Sequence, residues 1–261
     1  MPRLVCSDLR YSYIDKTVID HITLDAKRGE FVGLIGPNGS GKSTILKNIY
    51  RALTPDAGTI ILDDENVASM SFRKSALKMG VVGQENDATF DFLVEEIVAM
   101  GRNPHKKLFE IDTKKDKAIV HHALEHLGME DMAKRQYQYL SGGEKQRVVI
   151  ARVIAQESDF LILDEPTNHL DISYQLQIFD LVKRLGITVL AAIHDLNMAA
   201  MYCDRIYVLK EGKIVTFGTP EEVLTAEMID DVYGVKAHVT TNHITHKKNI
   251  CYLPASLTGQ A

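Results

Sequence analysis

No stretch of this chain approaches the roughly 18 continuous apolar residues of a membrane-spanning helix, so the polypeptide is not expected to build a pore by itself. Nor does an apolar segment follow Met1-Pro2-Arg3, where charged residues alternate with strand formers, and no secretory signal is expected. Cysteine is scarce: Cys6, Cys203 and Cys251 are odd in number and widely spaced, which suits reduced thiols in a cytosolic compartment. A basic surplus is also missing. With 30 Lys and Arg against 35 Asp and Glu, the formal net charge is -5, which argues against nucleic acid as the main partner. Internal repeats and low-complexity linkers are absent, and 261 residues suffice for one large or two small cores.

What is present begins with Gly36-Pro37-Asn38-Gly39-Ser40-Gly41-Lys42-Ser43-Thr44, which fits the phosphate-loop pattern G-x-x-x-x-G-K-[ST] and follows the apolar run Phe31-Val32-Gly33-Leu34-Ile35. Gly36, Gly39 and Gly41 let the backbone turn tightly, so that successive N–H groups face one anion at a helix N-terminus. Asn38, Ser40 and Thr44 belong to the same candidate phosphate-binding loop. Lys42 is expected to reach the β- and γ-phosphates and Ser43 to offer a hydroxyl to Mg2+, a hard cation that takes few protein oxygens.

A second run, Phe160-Leu161-Ile162-Leu163-Asp164-Glu165, is a short apolar stretch ending in two carboxylates, as in a parallel strand buried on both faces. Ligands bind at such strand ends in open α/β sheets. Asp164 is expected to hold the magnesium through water, and Glu165 to orient and deprotonate the attacking water, so that phosphate passes to water.

The third feature is Leu140-Ser141-Gly142-Gly143-Glu144-Lys145-Gln146-Arg147. Ser141 and Glu144 form an ordinary capping box. That box does not explain two consecutive glycines, which cost helix stability unless something must approach the backbone. Since Lys42 already serves one phosphate, the simplest geometry sets Ser141, Gly142 and Gly143 against the γ-phosphate held by a second copy of the chain, a homodimer with shared sites.

Around these motifs, strand-rich residues 3 to 35 lead into a helix from about Gly41 to Leu53, ended by Thr54-Pro55, and Gly58 to Leu62 reads as a strand. Asp91 is a candidate cap for a helix over Phe92 to Met100, and Asp112 or Thr113 for one reaching Leu127, closed by Gly128. Residues 85–158 thus read as a helical insert. Arg205 to Leu209 and Lys213 to Phe217 suit a hairpin about Glu211-Gly212, and Thr219-Pro220-Glu221-Glu222 is a capping box with proline in the first turn. His121, His122, His126, His238, His243 and His246 lack nearby cysteine ligands and read as solvated or packed rather than metal-binding.

Taken together and in this order, the motifs from about Leu4 to Leu224 resemble the nucleotide-binding subunit of ATP-binding cassette (ABC) transporters. The resemblance implies an α/β fold: a P-loop NTPase core with an N-terminal antiparallel β subdomain and an inserted α-helical subdomain, over 1–235, followed by a short β-rich tail over 236–261. It identifies Gln84 with the glutamine that contacts Mg2+ and the attacking water, Leu170-Asp171 with the loop that crosses between subunits, and His194 with the histidine that contacts the γ-phosphate. Tyr13 resembles the aromatic that stacks on adenine, with Tyr11 as its rival; stacking needs only a flat π-face.

The resemblance further implies partners: a transmembrane permease, docked at the helical insert with Phe90, Phe92 and Leu93 lining the receiving groove, and a substrate-binding protein. The chain is then peripheral, on the cytoplasmic face of the cell membrane. Val94-Glu95-Glu96-Ile97-Val98-Ala99-Met100-Gly101-Arg102-Asn103-Pro104-His105 and Val232-Tyr233-Gly234-Val235 resemble the iron-chelate, haem and cobalamin importers, favouring ferric siderophore or haem as cargo over cobalamin. Val82-Gly83-Gln84-Glu85-Asn86 departs from many relatives, which carry proline before the glutamine. A soluble, non-transport ABC ATPase is the other alternative, although those usually hold two cassettes or a long coiled coil.

Overall fold

The computed structural model describes residues 2–14, 16–83, 91–107, 110–166, 171–254 and 256. The chain divides into two compact units, residues 1–69 with 188–261, and residues 70–187. Among the described residues no helix is long and apolar enough to cross a membrane.

The first unit opens with strands β1 (Pro2–Tyr13) and β2 (Lys16–Lys27), antiparallel to each other. On β2 the alternation of sequence becomes alternation of burial: Ile22, Leu24 and Ala26 point into the core while the residues between them are wetter. Strand β3 (Phe31–Ile35) is buried along its whole length, as a strand covered on both faces must be. Helix α1 (Lys42–Ile49) follows the glycine-rich loop. It ends well before the expected Leu53. Tyr50 is its C-cap and Arg51 turns left-handed (φ 66), returning the N–H of Leu53 to the carbonyl of Lys47, so this local turn, not Thr54-Pro55, stops the helix. Strands β4 (Ala57–Leu62) and β5 (Glu65–Asn66) complete a four-stranded antiparallel sheet in the order β2-β1-β4-β5.

The second unit begins with α2 (Phe72–Lys78), capped by Ser71, and β6 (Met79–Val82). Its helical part holds α3 (Val94–Ala99), a 3-10 stretch over Met100–His105, α4 (Lys114–Glu125) and α5 (Gly142–Ala155). Asp91 does not cap α3. The N–H groups of Val94 and Glu95 donate instead to the carbonyls of Arg135 and Ala133, Glu96 accepts from the N–H of Leu93, and the Asp91 carboxylate accepts from Gln138. Thr113, rather than Asp112, caps α4. Val94, Val98, Leu124, Met129, Val148 and Ala151 form the core of this helical part, and half-buried Phe92 packs against its edge. Phe90 lies outside the described residues. Strand β7 (Phe160–Asp164) pairs in parallel with β6, and α6 (Ile172–Arg184) follows with Asp171 as its N-cap.

Back in the first unit, β8 (Thr188–Ala192) and β9 (Arg205–Lys210) flank β3 in parallel, separated in sequence by α7 (Leu196–Tyr202). Gly33 sits where β3 passes Cys203; a Cβ there would meet its sulfur at 2.6 Å. Strand β10 (Lys213–Gly218) closes the hairpin on β9, and Thr219 caps the short α8 (Pro220–Val223) through a capping box with Glu222. Helix α9 (Ala226–Tyr233) ends at left-handed Gly234. The last hairpin, β11 (Ala237–Thr241) with β12 (Lys248–Tyr252), is docked rather than dangling: Asn197 of α7 accepts from the N–H of Ile250 at 2.8 Å and donates to its carbonyl at 3.3 Å.

Candidate active site

In the first unit, β3 delivers the chain into the glycine-rich loop. Gly36 (φ 151) lies so close to β9 that a Cβ would fall 2.2 Å from the carbonyl oxygen of Leu209, and a Cβ on Gly41 (φ 102) would fall 2.7 Å from Ile19. Two of the three glycines are therefore required by packing as well as by turn geometry. The β9–β10 turn braces the loop from below, with the N–H of Gly212 donating to the carbonyl of Ser40 and its own carbonyl accepting from the N–H of Asp20.

Lys42 is 4% exposed and folds back over its loop, its ammonium donating to the carbonyls of Gly36 at 2.8 Å and Pro37 at 3.1 Å. The α1 N-cap is Gly41, without a side-chain cap and with no acidic residue in the first turn, so the positive end of the helix dipole at this N-terminus meets no carboxylate of its own first turn. The Ser40 hydroxyl is buried without a hydrogen-bond partner. A cradle that excludes side chains, a lysine, a helix N-terminus without a side-chain cap and a buried hydroxyl with no hydrogen-bond partner among the described residues fit a polyphosphate anion. Asn38 and Gly39 are exposed at the tip of the loop, Ser43 is half-buried, and Thr44 is buried in α1.

Tyr13 stands beside the β1–β2 turn, 46% exposed, with the edge of half-buried Tyr11 against it (centroids 4.9 Å apart, planes at 84°). Of the two rings Tyr13 offers the more open face. His194 follows β8 and Ile193 and is exposed; the next residue, Asp195, caps α7 by accepting the N–H groups of Asn197 and Met198.

In the second unit, the Asp164 side chain is buried at the end of β7, and Glu165 turns left-handed (φ 54), half-buried. Buried carboxylate oxygen is a donor that a hard divalent cation such as Mg2+ accepts. Ser141 caps α5: its N–H and hydroxyl both donate to the Glu144 carboxylate (2.7 and 2.8 Å). Those bonds, the Ser141 N–H foremost, with Arg135 and Arg147 nearby, hold the Glu144 carboxyl below its usual range. Ser141 and Gly142 are exposed, and a Cβ on Gly142 would meet nothing within 4 Å, so the N-terminus of α5 is open to approach. Asp171 accepts from the N–H of Tyr174 and the hydroxyl of Ser173, and these bonds lower its carboxyl pKa. Gln84 and Leu170 lie outside the described residues.

The motifs did not single out three further contacts. Gln146, 8% exposed, donates to the carbonyl of Pro166, directly after Glu165; it stood inside the quoted glycine-rich segment, but its inward direction depends on tertiary packing. Burial, and after it the neighbouring Tyr252, push the Tyr233 phenol up, while the N–H of Gly36 acts in the opposite direction. Tyr252 itself is raised chiefly by burial and then by the charge of Asp195, next to His194. The histidines of α4 and the C-terminal hairpin are exposed, and no three His, Cys, Asp or Glu among the described residues are grouped to hold a metal.

The ABC transporter family pattern matches residues 19–168. Over 241 residues the chain is 39% identical to the ferric enterobactin transport ATP-binding protein FepC of Escherichia coli, covering 91% of this chain and 89% of that one. It is 41% identical over 233 residues to the petrobactin import ATP-binding protein FpuC of Bacillus anthracis, covering 88% and 86%. A solved putative metal-chelate type ABC transporter in an inward-facing conformation superposes with a TM-score of 0.85 at 26% identity, covering 98% of this chain and all of that one. The glycine cradle, the strand-end carboxylates and these likenesses agree: the chain belongs to the ABC transporter family, as an ATP-binding subunit that hydrolyses ATP.

Proposed function

We propose that this chain energises import of an iron chelate, a ferric siderophore or haem, through a separate membrane permease fed by a substrate-binding protein. The observation that carries this reading is the near-full-length identity of 39 and 41% to two ATP-binding proteins named for ferric enterobactin and petrobactin. In this reading the chain sits peripherally at the cytoplasmic face of the membrane, attached through the permease, and works as a homodimer.

Lys42 and the N–H groups from Gly39 to Thr44 bind and orient the phosphates, Asn38 and Ser40 complete the loop, and Tyr13 stacks on the base. Mg2+, when bound, neutralises phosphate charge; Ser43, Asp164 and Gln84 are the residues to hold it, and oxygen donors suit it. Glu165 takes the proton of the attacking water, His194 and Gln84 orient groups at the γ-phosphate, and Asp171 marks the crossing between subunits. Ser141, Gly142 and Gly143 present the open N-terminus of α5 to the γ-phosphate on the second copy. Two copies are thereby joined by ATP and released by hydrolysis, a rigid-body switch that moves the permease.

Coexpression with candidate permeases and binding proteins, followed by ATPase assays in vesicles, tests the cargo. Ferric siderophore or haem should stimulate turnover. Stimulation by cobalamin alone would reassign the cargo, and full activity without recovery in the membrane fraction would favour a soluble ATPase.

A further inference from the structure

Helix α5 is fastened at two adjacent residues to the chain on either side of the strand-end loop after β7. Gln146 donates from Nε2 to the Pro166 carbonyl at 2.8 Å, and Arg147 lays its guanidinium over the Tyr174 ring, 4.9 Å from the centroid. Tyr174 in turn donates its N–H to the Asp171 carboxylate. Directly before the first of these anchors stands Glu165, a non-glycine residue with φ of 54, a conformation that persists only where its surroundings hold it. Pro166 fixes its own φ, and Gln146 fixes its carbonyl. Ser141 heads the same α5, five positions earlier, which is about 7.5 Å along a helix and less than two turns. The exposed cap and the buried amide thus move as one rigid piece.

We propose that Gln146 is a positioning residue that carries the state of the Ser141 cap to Glu165 of the same chain. The proposal rests on the reading that Glu165 is the general base for the chain's own nucleotide and that Ser141 meets the nucleotide of the second copy. On that reading the cap and the base of one chain serve different nucleotides, so this hydrogen bond joins the two sites of the dimer. Engagement of the cap at one site fixes α5, and the Gln146 amide fixes the backbone that aims Glu165 at the other.

The test is a double-mutant cycle on the full-length dimer, reading single-turnover ATP hydrolysis and nucleotide affinity. Gln146→Leu keeps bulk and burial but removes the donor; turnover at saturating ATP should fall about tenfold with affinity within about twofold. In a Glu165→Gln background the same change should add less than about twofold, because Gln146 acts through Glu165. An equal factor in both backgrounds, or a turnover loss matched by lost affinity and a lower melting temperature, would overturn the proposal. Gln146→Glu guards against misfolding of the leucine variant: only its protonated acid can donate to Pro166, so its rate relative to wild type should rise as pH is lowered, and a flat ratio counts against the proposal. Normal turnover in Glu165→Gln alone would remove the general-base reading, and the proposal with it, a result separable from any Gln146 outcome.

Discussion

The ammonium of Lys42 lies 2.8 Å from the carbonyl oxygen of Gly36, the residue that opens its own loop. The lysine is thereby stored over the cradle rather than extended into solvent, and its charge is offset by two backbone carbonyls that a phosphate can replace. Lys42→Ala removes a charge-assisted contact worth about 1.5 to 3 kcal/mol, so ATP affinity should fall roughly ten- to a hundredfold. Equilibrium binding of a fluorescent ATP analogue checks this; affinity within twofold of wild type would remove Lys42 from the phosphate site.

Glu144 puts a negative charge beside the open N-terminus of α5, where Ser141 holds it as a capping partner. Glutamine can make the same capping box without the charge. Glu144→Gln should therefore strengthen nucleotide-driven dimerisation about two- to fivefold, the scale of one charge at a helix end. Sedimentation with a non-hydrolysable ATP analogue reads the result. The wild-type carboxyl is depressed, so its contribution to stability is present above the ordinary glutamate range and is lost as pH falls through the lower folded value. The glutamine variant should lack that acid-dependent loss in thermal melts.

Arg102 is the internal fastener of the helical part. Only 4% exposed, it binds Asp116 at 3.0 Å, the Ala155 carbonyl at 2.7 Å and Glu157 at 2.8 Å, joining the 3-10 stretch to α4 and the end of α5. Asp116 also accepts from the hydroxyl and N–H of Thr113, and these bonds with Arg102 hold its carboxyl far below the usual range. Arg102→Ala leaves that buried carboxylate without its cation and should cost about 3 kcal/mol, measured by denaturant unfolding. The Asp116 contribution is present above the ordinary aspartate range and fades only as pH falls through its depressed folded value, so the wild-type and Arg102→Ala stabilities should converge only in strong acid.

How much of this could be read from the sequence depended on whether the cause was local. The phosphate loop was legible because a strand, three glycines and a lysine are adjacent in the chain, and Gly36 and Gly41 occupy spaces that admit no Cβ. The caps at Ser141, Thr113 and Thr219 were legible because the residues that accept and donate are three positions apart. The start of α3 was not, since its first N–H groups are satisfied from Ala133 and Arg135, some 40 residues away in sequence. The end of α1 turned on the left-handed Arg51, a conformation no residue type there announces. Gln146 stood in the quoted segment, but nothing local says that it points to Pro166, and the docking of the last hairpin on Asn197 is likewise a long-range pairing.

The central claim, that each ATP is hydrolysed between the glycine cradle of one copy and the Ser141 helix of another, is tested most directly by mixing two dead chains. A Lys42→Ala chain and a Ser141→Arg chain, cross-linked as defined heterodimers, place both lesions in one composite site and leave the other intact. Single-turnover hydrolysis of one ATP per heterodimer should return towards the wild-type rate, while both homodimers stay inactive. Heterodimers no more active than either homodimer, or a Ser141→Arg homodimer as active as wild type, would contradict the account.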